Sequence, residues 1–135
     1  MPNLRNKAEF NFDAAEILIK ESYYAPSIHC SYYSCFQRIK YIICDYEGYT
    51  YESIWEKVKE LKYGEHVFCI NKINELLEKS NQLKIRELNE FDSLIKELKQ
   101  SRVDSDYMNI QIDSEMASKA YKMATSIHET LKKVF

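Results

Sequence analysis

Glycine and proline are nearly missing from this chain. Gly48, Gly64, Pro2 and Pro26 are the only ones in 135 residues, where an average chain of that length carries about 16 of the two together. A many-stranded sandwich, barrel or propeller needs more turn chemistry than this. The shortage also removes phosphate-cradling loops. A Walker loop requires Gly, four residues and then Gly-Lys, and a Rossmann turn requires three close glycines, which Gly48 and Gly64 cannot supply.

An excess of basic charge is lacking too. With 19 Lys and Arg against 21 Asp and Glu, the formal net charge is −2. No global positive field marks a nucleic-acid or membrane-surface binder, so any RNA contact has to be local. Cys30, Cys35, Cys44 and Cys69 form no CxxC pair, and the opening MPNLRNKAEF has no apolar signal core; a reduced, cytoplasmic setting is the expectation. No apolar run nears the roughly 20 residues of a membrane span. The most hydrophobic stretch, residues 41–44, is interrupted by Asp45. Length argues for one domain over residues 1–135, able to bury roughly two thirds of its unfolded surface without metals or disulfides.

What the chain does have is helical periodicity. Phe10, Ala14, Ile17 and Leu18 repeat at three-to-four spacing and predict a first amphipathic helix over residues 4–22. Pro26 suits a first turn and opens a second helix over residues 26–45. There Ile28, Tyr32, Cys35, Phe36, Ile39 and Ile43 form one stripe flanked by Cys30, Tyr33, Tyr41 and Ile42. A helix apolar over most of its circumference belongs at the centre of a bundle. After a loop at residues 45–50, Ile54, Trp55, Val58 and Leu61 mark a short third helix that Gly64 closes. Val67, Ile70, Ile73, Leu76 and Leu77 give a fourth, and Leu88, Phe91, Leu94, Ile95 and Leu98 a fifth. The polar stretch 101–109 reads as a link. Asp113 is a fair N-cap for a last helix with Met116, Ala117, Ala120, Ala124, Ile127, Leu131 and Val134 on one face and Lys132 and Lys133 in its final turn. The fold class is all-α, a single helical bundle of five to six helices.

Chemistry is sparse. His29, His66 and His128 lie on three different predicted helices with no HExxH-like pairing, so no metal site is expected. His66 and His128 read as surface or boundary side chains. His29 stands one turn before Tyr33 and two before Gln37, a polar seam in which a satisfied buried histidine is the expectation. The cysteines read as core thiols. Ser101, Arg102, Val103, Asp104, Ser105, Asp106 and Tyr107 are the most unusual local run. Its plain reading is a capped turn in which Arg102 neutralises the preceding carbonyl end and Tyr107 packs.

Taken together, FNFDAAEILIKESYYAPS, the Tyr-Tyr helix YYAPSIHCSYYSCFQRIKYII, RVDSDY and the final Ala-rich helix SEMASKAYKMATSIHETL resemble the HEPN domain family (higher eukaryotes and prokaryotes nucleotide-binding). Order and spacing carry the resemblance over nearly the whole chain, with an enlarged middle section at about residues 46–84. It implies an all-α homodimer, often paired with a minimal nucleotidyltransferase (MNT) in toxin–antitoxin or phage-defence systems. In active branches it implies a metal-independent endoribonuclease with Arg, four to six residues, then His. Arg102 fits the Arg, but Tyr107 stands where His belongs. The run is similar to an Arg-x3-Asp-Tyr form of the family whose nuclease activity is in question. The tyrosine modified in related toxins lies two residues past the His, where this chain has Asn109. An unperturbed Tyr, with a pKa near 10, is a poor base at neutral pH.

The leading expectation is therefore a component of a toxin–antitoxin, defence or stress system, homodimeric, that binds nucleotide, RNA or an MNT-type nucleotidyltransferase rather than cleaving RNA efficiently. Arg102, Asp106 and Tyr107 are its candidate binding residues. Neither a cofactor nor a membrane is implied. A second reading is an endoribonuclease using Arg102 and Tyr107 at a dimer cleft, with His29 lent as the base. A third is a protein-interaction bundle docking through exposed Tyr49, Tyr51 and Trp55.

Overall fold

The structure, a computed structural model, describes residues 2–61 and 63–135. Among them are six helices and no strand: α1 Pro2–Lys20, α2 Tyr24–Glu47, α3 Tyr51–Lys59, α4 Glu65–Lys79, α5 Ile85–Tyr107 and α6 Ser114–Val134. None is long and apolar enough to cross a membrane. Helix α2 is central and packs against α1, α4, α5 and α6, as its wide apolar surface requires. Ile28, Tyr32, Cys35, Ile39 and Ile43 are at most 1% exposed. Ser27, Ser31 and Ser34 are buried as well, and with Ala117, Ala120 and Ala124 of α6 they keep side chains small where helices meet.

Turns are made mostly without glycine. Helix α1 ends in a Schellman motif: Tyr23 N–H donates to Leu18 C=O (2.8 Å) and Ser22 N–H to Ile19 C=O (3.0 Å), with Ser22 left-handed at φ 65°. Asn81 does the same after α4 at φ 57°, a conformation Asn tolerates better than most residues. Gly48 follows α2 at φ 71°. Gly64 does not close the third helix as expected. It is the N-cap of α4, in extended backbone at φ −79°. Asp113 caps α6 as expected, its carboxylate accepting from Met116 N–H at 2.9 Å.

Three further expectations need correction. In α1 the buried side chains are Leu4, Ala8 and Ala15, whereas Phe10 is 70% and Ile17 60% exposed. Small residues occupy the face where α1 closes on α2, so the bulkier pair is left outside. On α6, Met116 also lies outside the core. Of the three aromatics expected to be exposed, Tyr49 is half-buried against Phe68, ring centroids 5.9 Å apart. Trp55 is exposed, and Tyr51 lies under the Lys40 ammonium, which pairs with Glu65.

The largest difference concerns residues 101–107. They form the last turns of α5, and the link is confined to residues 108–113. Asp and Ser are weak helix formers, yet no Gly or Pro interrupts this segment, and local penalties of roughly 0.5 kcal/mol each yield to packing. Gln100 Nε2 donates to Asp104 Oδ1 at 2.8 Å one turn on, and Ser105 Oγ donates to Ala25 C=O of α2 at 3.2 Å.

Placing α2 at the centre and the Phe10/Ile17 face outside gives contrasting expectations. Ile39→Ala should cost ~2–5 kcal/mol, and Ile17→Ser less than ~0.5 kcal/mol, in urea unfolding followed by circular dichroism. Equal losses would contradict the assigned faces.

Candidate functional site

The extension of α5 places every sequence-predicted site residue along one seam between α2 and the end of α5. Ser105 and Ala25 pin the two helices together there. Arg102 is only 8% exposed. Its guanidinium carbon lies 5.4 Å from the ring centroids of both Tyr32 and Tyr33 and 6.0 Å from that of Tyr107, within reach of cation–π attraction. Nη1 is 3.6 Å from Asp106 Oδ2, one helical turn on. Nε has no hydrogen-bond partner among the described residues. Arg102 and Asp106 thus form an ion pair within α5, but it is loose. Asp104 instead accepts from Gln100.

Asp106 has a closer partner. Its Oδ2 lies 2.9 Å from His29 Nδ1 across the seam. With the carboxylate accepting, Nδ1 carries the hydrogen and Nε2 is left as the acceptor. His29 was expected to be buried. Its side chain is 46% exposed, because Asp106 and Tyr33, whose ring centroid is 4.6 Å away, hold it at the mouth of the seam. Tyr107 ends α5 at 74% exposure. Gln37, the last member of the expected polar seam, turns to α1 and accepts from Asn11 Nδ2 at 2.8 Å.

Sequence reasoning missed the floor of this site. Tyr32 and Tyr33 were legible only as apolar stripe residues, and nothing in sequence places His66 beside them. The Tyr32 hydroxyl is 2.6 Å from His66 Nδ1, and His66 stacks on Phe36 with centroids 4.1 Å apart. Both His66 and His128 are boundary residues, each held by a partner: His128 Nε2 is 3.0 Å from Ser34 Oγ. Burial, then the positive charges of Arg102 and Lys99, lower His66 to about 4. Burial, then Arg38, does the same for His128.

The arrangement joins a buried cation with unused donors to an exposed imidazole through one shared carboxylate. Arg102 has five N–H donors and can grip an oxyanion bidentately, and His29, with Nδ1 on Asp106, presents Nε2 from a half-exposed side chain. Asp106 limits the positive field because it already offsets part of the Arg102 charge.

His66 and His128 also set a pH dependence. Both bind protons less readily in the folded chain than in the unfolded one, at about 4 against 6.5. Stability is therefore complete above pH 6.5 and falls as pH drops towards 4, by up to roughly 3 kcal/mol for the more buried His128 and by less for His66, where solvent screens the charge. His66→Phe keeps the stack but cannot be protonated. The variant should lose less stability than the wild type between pH 7 and 4.5 in urea titrations, and an identical loss in both would refute this assignment.

Neither a curated protein nor a solved structure matches the chain significantly. The model of the HEPN domain matches residues 1–134, a span that takes in all six helices and both sides of the Arg102 seam. The chain belongs to the HEPN domain family, which supports a nucleotide- or RNA-related function.

Proposed function

We propose that this HEPN domain binds a nucleotide or RNA at the α2–α5 seam, as the binding or regulatory half of a two-component toxin–antitoxin, defence or stress system. The observation that carries this reading is Arg102, a buried guanidinium whose only carboxylate partner among the described residues is 3.6 Å away. A phosphate oxygen at the mouth would complete its donors, and the exposed Tyr107 ring beside it offers a stacking face for a base. Dimerisation, common among HEPN domains, would bring two such seams into one cleft. The expected partner is an MNT-type nucleotidyltransferase, and a cytoplasmic setting fits both.

A second reading, an endoribonuclease, is favoured by the 2.9 Å His29–Asp106 pair. In it, His29 Nε2 removes the ribose 2′-hydroxyl proton and the 2′-oxygen attacks phosphorus. A cyclic phosphate forms as the bond to the 5′-oxygen breaks, and the imidazolium returns its proton to that oxygen. Arg102 stabilises the charge on the phosphoryl oxygens. His29 from α2 thus stands in for the motif histidine that Tyr107 replaces.

Two measurements separate these readings. Tyr107→Ala, at an exposed position, should weaken binding of a labelled single-stranded RNA roughly 5- to 100-fold in fluorescence anisotropy. Equal affinity in both proteins would sink the binding site. Metal-free incubation with tRNA and mRNA tests cleavage. The ribonuclease reading requires cleavage by the wild type and its loss in His29→Ala, and intact RNA with the wild type rules it out. A monomer at micromolar concentration in light scattering would remove the shared cleft.

A further inference from the structure

We propose that the cleft between α1, α2 and α6 is a second ligand site, taking a small planar aromatic anion: one ring carrying a carboxylate or a phosphate. Its volume is about 610 Å³, within the roughly 300–1,000 Å³ of small-molecule pockets. No residue of α4 or α5 lines it, so it is separate from the Arg102 seam.

The anion preference comes from Arg38. This half-buried arginine reaches the cleft from α2. Burial, then the positive charge of Arg5, disfavour its charged form, opposed by Cys35 and then by Glu9, which is itself paired to Arg5 at 3.6 Å. Two guanidiniums facing one space are relieved by an anion placed between them.

The ring preference comes from the walls. Phe12, held by stacking on Tyr121 at 5.0 Å and by His128 at 4.7 Å, lines the cleft together with Phe135, which packs edge-on to Tyr46 at 5.0 Å. Aromatic linings of this kind favour a flat ring. His128 lines the same cleft, its ring held in place by Ser34 Oγ, 3.0 Å from Nε2.

Net charge limits the ligand's size. Arg5, Arg38 and Lys132 are balanced by Glu9, Asp45 and Glu129 around the same cleft. That balance admits one anionic group and disfavours a triphosphate or an RNA backbone.

The test is calorimetric titration of the full chain with phenyl phosphate, phenylacetate and inorganic phosphate. Saturable binding of phenyl phosphate or phenylacetate, stronger than that of inorganic phosphate, is expected, together with a shift of the His128 ring resonances in NMR. Binding of phenyl phosphate alone assigns the phosphate source, and binding of phenylacetate alone the carboxylate source. Arg38→Met should weaken binding roughly tenfold or more, while Tyr107→Ala should leave it unchanged. If Arg38→Met fails to fold, the exposed Arg5→Ala replaces it and should weaken binding roughly threefold or more. No binding at millimolar concentration, binding indifferent to these substitutions, or equal loss in Tyr107→Ala would each overturn the proposal.

Discussion

Half of the 24 residues of α2 are buried, and they are spread round most of the helix. A helix with so little surface to give to water must be enclosed, and covering it places the other elements: α1, α4, α5 and α6 all pack on it, with α6 also touching α1 and α5, and α5 touching α4. Hydrophobic burial of this kind has no direction of its own. Orientation comes from which side chains are small. The serines of α2 and the alanines of α1 and α6 mark where backbones approach, and the aromatics fill the wider side towards α4 and α5.

That wider side is where a charge can be buried. Arg102 enters the bundle between tyrosine faces, which substitute in part for the water it loses. Asp106 stays nearer the surface, where it is shared with His29. A buried charge with incomplete pairing is costly, so this end of α5 carries more polar tension than a purely structural contact needs. The charge also reaches inward, because Arg102 helps keep the His66 imidazole neutral against the Tyr32 hydroxyl. The seam is therefore an electrostatic unit four side chains deep, and a change at its mouth is felt in the core.

Much of the bundle was legible from periodicity and caps. The all-α class, the centrality of α2 and the Asp113 start of α6 follow from local rules that tertiary packing does not override. The buried face of α1 was not legible, because ranking Phe10 and Ile17 above Ala8 and Ala15 by hydrophobicity ignores how near α2 comes. Residues 101–107 looked like a link because Asp and Ser favour turns when isolated, whereas in the bundle packing outweighs that preference, with Ser105 meeting Ala25, 80 residues earlier. Composition could nominate Arg102, Asp106, Tyr107 and His29, since those residue types carry chemistry. It could not reveal that Asp106 joins His29 to Arg102, or that Tyr32 and His66 lie beneath them, because those are long-range contacts.

The turns closed by Ser22 and Asn81 have a consequence on the other side of the folding equilibrium. Each holds a side-chain-bearing residue in left-handed backbone, at a local cost in the native state that glycine would avoid. A chain with only two glycines, however, samples fewer backbone conformations when denatured, so it has less disorder to lose on folding. The bundle thus accepts strain at two loop positions while drawing on a stiffer denatured ensemble. Part of its stability resides there, where no contact in the folded structure records it.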